Sequence, residues 1–260
     1  MLEHGYSFEV PATEEPGLAE PIPLKNMGRF RGEAVAIDPA DGSVYQSEDR
    51  GEGLLYRFIP DTPGKLNESG KLMALAVKGA PGADVRNWKK QQYKVGEPIE
   101  IEWIEIDDIA SPKDEMRISG HKKGGALFAR AEGMWTGDDG IYIACTNGGP
   151  KKLGQIFRLK PGENTIEIFV EAEKPSVLEM CDNLTVSPWG DLVVCEDGKN
   201  DQFLRGVTSD GEVYTLGKNA ANSSEICGAA FAPNHPTLFV NVQRDPGITL
   251  AVTGPWKNST

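Results

Sequence analysis

The sequence predicts an all-β chain of the propeller class. Three observations carry this: turn residues are abundant, four segments repeat one strand–turn–strand plan, and acidic residues recur at nearly one spacing inside that plan. With 30 glycines and 18 prolines among 260 residues, turns must be frequent and strands short.

The first repeat runs from Gly32-Glu33-Ala34-Val35 through Asp41-Gly42 to Val44-Tyr45-Gln46-Ser47-Glu48-Asp49. The second runs from Ala131-Glu132-Gly133-Met134 through Asp139-Gly140 to Ile141-Tyr142-Ile143-Ala144-Cys145-Thr146-Asn147. The third joins Cys181-Asp182-Asn183-Leu184 to Leu192-Val193-Val194-Cys195-Glu196-Asp197 across Pro188-Trp189-Gly190-Asp191. The fourth joins Glu225-Ile226-Cys227-Gly228 to Leu238-Phe239-Val240-Asn241 across Pro233-Asn234-His235-Pro236. Alternating or β-branched runs around such turns are hairpin signals. Outer pairs at Gly154–Leu159 with Thr165–Val170, and Gly206–Thr208 with Glu212–Tyr214, extend two hairpins into four-stranded blades. Residues 61–129 read as an insertion within one propeller domain spanning 1–260, with Lys65–Lys78 and Asp84–Tyr93 as helical or loop segments. Within it, Glu100, Glu102 and Glu105 alternate with apolar residues, slipping phase at Trp103-Ile104, and read as the wet face of a bulged strand.

The spacing of polar residues carries the functional reading. Glu33 to Glu48 is 15 residues, Glu132 to Asn147 is 15, Asp182 to Glu196 is 14 and Glu225 to Asn241 is 16. The residue opening a hairpin and the residue closing it lie at one end, so innermost hairpins would aim all of these at one mouth of a central channel. Crowded carboxylates stay ionised only beside cations. Oxygen donors select hard ions such as calcium, and shared carboxylates also serve iron. Arg130, two residues before Glu132, is expected to share its direction by strand alternation and to clamp a phosphate oxygen.

Composition excludes several classes. A net charge of −12 without a basic cluster argues against nucleic acid. No apolar run is long enough to span a membrane. Three histidines disfavour a histidine-rich zinc site, and the four widely separated cysteines form no Cys-x-x-Cys pair, so buried free thiols are expected. There is no Gly-x-Ser-x-Gly elbow, phosphate loop or His-Glu-x-x-His motif.

Motifs throughout the chain identify a family. His4-Gly5-Tyr6-Ser7-Phe8-Glu9-Val10, Ser47-Glu48-Asp49-Arg50-Gly51, Phe128-Ala129-Arg130-Ala131-Glu132-Gly133, Cys195-Glu196-Asp197-Gly198 and Thr253-Gly254-Pro255-Trp256 follow the order of PhoX-type bacterial alkaline phosphatases, which the chain resembles. The resemblance implies a six-bladed propeller fold, a monomer, periplasmic or secreted location, and hydrolysis of small-molecule phosphate esters at an iron and calcium cluster. It implies metal-ligand roles for Glu33, Glu132, Asp182, Asn183 and Glu196, and more weakly for Glu48, Asp49, Asp197 and Glu225. It implies catalytic roles for Arg130 and Glu132 and phosphate contacts from Arg130 and Arg205. The matching motifs cover the C-terminal two thirds of the family, so N-terminal blades, a signal peptide and an iron-ligating cysteine are expected to be missing from this chain. Two other readings stay open: a calcium-dependent lactonase similar to the gluconolactonase propellers, which needs no phosphate clamp, and a non-catalytic calcium-binding propeller fragment.

Overall fold

The computed structural model describes residues 4–199 and 201–256, and among these β-strands dominate. The first blade comprises β1 (Gly32–Ile37), β2 (Val44–Glu48), β3 (Tyr56–Pro60) and β4 (Gly70–Val77). β5 (Ile99–Glu105) and a short helix, α1 (Met116–Lys122), lead to the second blade. That blade comprises β6 (Ala131–Gly137), β7 (Gly140–Cys145), β8 (Gln155–Lys160) and β9 (Thr165–Glu171). The third has β10 (Cys181–Val186), β11 (Leu192–Glu196), β12 (Phe203–Val207) and β13 (Val213–Lys218), and the fourth has β14 (Ile226–Phe231), β15 (Thr237–Val242) and β16 (Ile248–Thr253). Each blade is an antiparallel meander in chain order, and β1, β6, β10 and β14 pack side by side as innermost strands.

The turns close for local reasons. Between β1 and β2, Asp38 Oδ1 accepts the Ala40 N–H at 2.9 Å and Asp41 Oδ1 accepts that of Ser43 at 2.8 Å. Gly42 supplies the left-handed step, φ +74°, that other residues resist.

The core lies between blades, as the period of two requires. Along β11, Leu192 and Val194 pack towards the second blade with Ile156, Phe169 and Leu184, whereas Val193 and Cys195 pack towards the fourth with Ile226, Leu238 and Val240. Along β2, Tyr45 joins the core shared with the second blade, while Val44 turns to a cluster that includes Met27, Phe30 and Met116. All four cysteines are free; Cys145, Cys181 and Cys195 are buried and Cys227 is half-buried. No helix among the described residues is long and apolar enough to cross a membrane.

Two local expectations are corrected. Much of Lys65–Lys78 is neither helix nor loop but β4, the fourth strand of the first blade, with Tyr56 opposite Ala74 and Pro60 opposite Gly70. β5 contains no bulge: its register with β4 is unbroken from Met73–Glu105 to Val77–Ile101. Glu100 and Glu102 are exposed, and the phase slip arises because both faces are partly covered further along. Trp103 meets Tyr45 at 5.7 Å between ring centroids, while Ile104 packs on the opposite cluster. β5 also pairs with β9 through Ile99–Ile166 and Glu100–Thr165, so nine strands form one continuous sheet across two blades.

Candidate functional site

Each innermost strand starts with the same irregularity. Gly32 pairs with Glu48 but Val35 with Gln46; Ala131 pairs with Cys145 but Met134 with Ile143. Likewise Cys181 pairs with Glu196 but Leu184 with Val194, and Cys227 with Asn241 but Ala230 with Phe239. Two residues therefore oppose one in every blade, a bulge that re-aims the side chains it carries. The bulged pairs are Glu33-Ala34, Glu132-Gly133, Asp182-Asn183 and Gly228-Ala229, so three blades place a carboxylate at the first bulge position.

These carboxylates meet. Glu132 is buried, accepts the Thr146 hydroxyl at 2.8 Å and receives Arg130 Nη2 at 2.5 Å. Arg130 Nε donates to Asp49 Oδ1 at 2.7 Å, so one guanidinium bridges two acids. Asp182 is pushed up strongly by burial, by its hydrogen bond with Glu132, and by the charges of Glu132, Glu225 and Asp197. Burial, Asp197 and Glu132 push Glu225 to about 7, with Arg130 opposing. Burial and Glu132 raise Asp197. Glu33, at the open edge, is raised by burial and then by Glu132 and Asp49. Six acids, Glu33, Asp49, Glu132, Asp182, Asp197 and Glu225, thus surround Arg130.

Arg130 reaches Glu132 by a route other than simple alternation. It precedes β6 with a left-handed backbone, φ +51°, its N–H donates to the Arg50 carbonyl at 2.9 Å, and Glu132 turns at the bulge. Glu225 likewise arrives from the residue before β14, because the bulge position that would match Glu33 is Gly228, φ +61°.

Four other residues are placed elsewhere. Glu48 points into the first blade, where it accepts the Tyr56 hydroxyl at 2.9 Å and the Leu54 N–H at 3.2 Å; burial raises it to about 7. Glu196 Oε1 accepts Arg205 Nε at 2.8 Å and the Glu179 N–H at 2.9 Å, and both partners of the ion pair are buried. Arg205 also donates to Thr215 Oγ1 at 2.6 Å, so its guanidinium is engaged within the third blade rather than beside Arg130. Asn183 Oδ1 accepts the Ala229 N–H at 3.1 Å, tying the third bulge to the fourth. Glu48 and Glu196 fall opposite Gly32 and Cys181, the residues just before the bulges, and so face away from the bulge carboxylates.

Thr146 and Ser47 were not anticipated. Thr146 occupies the place that Asp49 and Asp197 hold after their second strands, a correspondence that register reveals and spacing blurs. Ser47 Oγ donates to the Glu132 carbonyl at 2.6 Å and accepts the Ala34 N–H at 2.9 Å, linking two bulges.

Among the described residues, no three His, Cys, Asp or Glu side chains stand close enough to chelate an ion as placed. The donor chemistry nevertheless fits hard cations: the group is all oxygen, has six acids against one guanidinium, and burial and mutual repulsion raise Glu33, Asp182, Asp197 and Glu225.

The family model described as alkaline phosphatase PhoX matches residues 1–247. No curated protein sequence matches the chain. Among solved structures, Pseudomonas fluorescens PhoX in complex with vanadate, a transition state analogue, is 20% identical with a TM-score of 0.66 over 86% of this chain. The match covers 50% of that protein, so the chain spans about half its length. A luciferin-regenerating enzyme (14% identity, TM-score 0.40, 88% of this chain and 94% of that one) and a glucose dehydrogenase (12%, 0.40, 92% and 86%) are more distant.

Proposed function

The chain belongs to the alkaline phosphatase PhoX family, and from that premise we propose that the acids around Arg130 form the phosphoryl site of a metal-dependent phosphomonoesterase. The observation that carries the reading is the convergence of six carboxylates from four blades on one guanidinium. Glu33, Asp49, Glu132, Asp182, Asp197 and Glu225 would hold the cations, for which we propose calcium and iron. When bound, such cations neutralise the acids and polarise phosphoryl oxygens.

The chain's own residues do the rest. Arg130 presents Nη1, which has no hydrogen-bond partner among the described residues, to an oxygen of the ester. Its Nε and Nη2 stay anchored on Asp49 and Glu132, so the charge is oriented before substrate arrives. Thr146 fixes the Glu132 carboxylate that Arg130 leans on. The buried Arg205–Glu196 and Tyr56–Glu48 pairs hold the blades beneath the site, and Asn183 ties two of them together. A lactone substrate would use none of the guanidinium, which favours phosphate over that alternative.

The test is hydrolysis of an aryl phosphate with calcium and iron supplied, with and without chelator. Activity that vanishes on chelation, and falls about 10²-fold or more in Arg130→Ala, supports the reading, by analogy with other preorganised charge-stabilising donors. Hydrolysis of a sugar lactone but not of aryl phosphate overturns it.

A further inference from the structure

A chamber with more basic than acidic side chains in its wall adjoins the carboxylate group. It has a volume of about 760 Å³ and lies between the N-terminal segment, the start of β1 and the loop before α1. That size falls within the roughly 300–1,000 Å³ of small-molecule sites. Three residues of its wall connect it to the site. Glu33 is one of the converging acids, Arg31 Nε lies 3.8 Å from Asp49, and the Arg50 carbonyl holds the Arg130 N–H.

The wall carries four basic side chains, Arg29, Arg31, Arg50 and Lys113, against two acids, Glu33 and Asp114. Arg29 Nε donates to the His4 carbonyl at 2.8 Å and its guanidinium lies 5.9 Å from the Tyr6 ring centroid, which leaves both terminal nitrogens unpaired among the described residues. Lys113 is exposed and forms no ion pair among the described residues. Arg50 is balanced by Asp114, and Arg31 faces Asp49 only loosely. Arg29 and Lys113 thus stand without an acidic partner among the described residues, in a chain of net charge −12.

We infer that this chamber receives the leaving-group side of the substrate, and that the favoured phosphate esters carry a second anionic group there, a further phosphate or a carboxylate, met by Arg29, Arg31 and Lys113. The inference rests on the phosphomonoesterase reading. With the reacting phosphoryl group at Arg130, the neighbouring chamber offers the unpaired Arg29 and Lys113, so an anionic leaving group gains contacts that a neutral one does not.

The test compares the full chain with an Arg29→Gln, Lys113→Gln double variant, neither residue touching Arg130 or the acids. A sugar bisphosphate and the matching sugar monophosphate report kcat/KM, and calorimetry reports binding of inorganic pyrophosphate and inorganic phosphate. The expected result is a loss of about 10- to 100-fold for the bisphosphate and for pyrophosphate, with the monophosphate and phosphate within about twofold of the parent chain. Equal losses for both members of each pair, or no loss, overturn the inference. If the parent chain, which spans about half the length of the PhoX structure it matches, hydrolyses neither ester, that result bears on the phosphatase reading alone. Pyrophosphate binding then decides the chamber: selective weakening in the double variant supports an anion site, and unchanged binding refutes it. Lys113→Glu, on an exposed loop, serves if the double variant melts below the parent chain.

Discussion

A single guanidinium shared by two carboxylates makes Glu132 the residue on which the site turns. Its carboxylate is in contact with Arg130 and Thr146 and is hydrogen-bonded to Asp182. Glu132→Gln keeps the shape and removes a charge, so calcium affinity should fall at least tenfold by calorimetry. Glu102→Gln, on the exposed face of β5, should leave it unchanged. Equal affinities would mean that the convergence has no bearing on cation binding. Arg205 makes a different kind of claim. Its loss leaves Glu196, which is 1% exposed, a buried carboxylate without its cation and with the Glu179 N–H as its remaining donor. Arg205→Ala should lower unfolding stability by about 3–5 kcal/mol, measured by urea denaturation. Phosphatase activity per folded molecule should change much less than in Arg130→Ala.

At the scale of the element, the bulge is what turns four hairpins into one site. Alternation and turn residues made the hairpins readable: Val35-Ala36-Ile37, Asp41-Gly42 and Val44-Tyr45 say strand, turn, strand with no need of tertiary context. The bulges were not readable, because a register slip is a relation between two strands and leaves no mark in either alone. Counting residues through turns of unequal length therefore put Glu48 and Glu196 at the mouth, whereas pairing puts them opposite Gly32 and Cys181. Gly133 shows how closely the bulges pack. A Cβ there would lie 2.6 Å from the Asp182 carbonyl oxygen and 2.7 Å from the Asn183 Cα, both backbone atoms of β10. Gly133→Ala should cost about 1–3 kcal/mol through overpacking and weaken calcium binding as well, since Glu132 and Asp182 flank the clash. Gly162→Ala, with open space around it, should do neither. Thermal melts and calorimetry on the pair check this.

For the whole molecule, the balance of charge links cations to folding. Glu225 and Glu48 titrate near 7 in the folded chain against an ordinary value of 4.5, and Glu33, Asp182, Glu196 and Asp197 are also raised. Between about pH 4.5 and 7 the folded state therefore holds more protons than the unfolded one, and stability falls as pH rises through that window. Calcium bound to the folded state takes over the protons' role. The melting temperature in chelator should drop from pH 4.5 to pH 7.5, and excess calcium should flatten that drop. Coincident curves would show that the acids do not act as a cation site. The propeller class, the four hairpins and most of the acids could be read from sequence because they are local patterns. The chamber beside Arg29 could not, since it is formed by segments far apart in the chain. The strand β5 has a further consequence for how the molecule comes apart. Its hydrogen bonds to β4 along Ile101–Glu105, and to β9 at Ile99 and Glu100, join the outer strands of the first two blades, so these blades are expected to open together where they meet rather than fray separately. The arrangement also covers the outer edge of β4 and the start of that of β9, which would otherwise be templates for pairing with another chain.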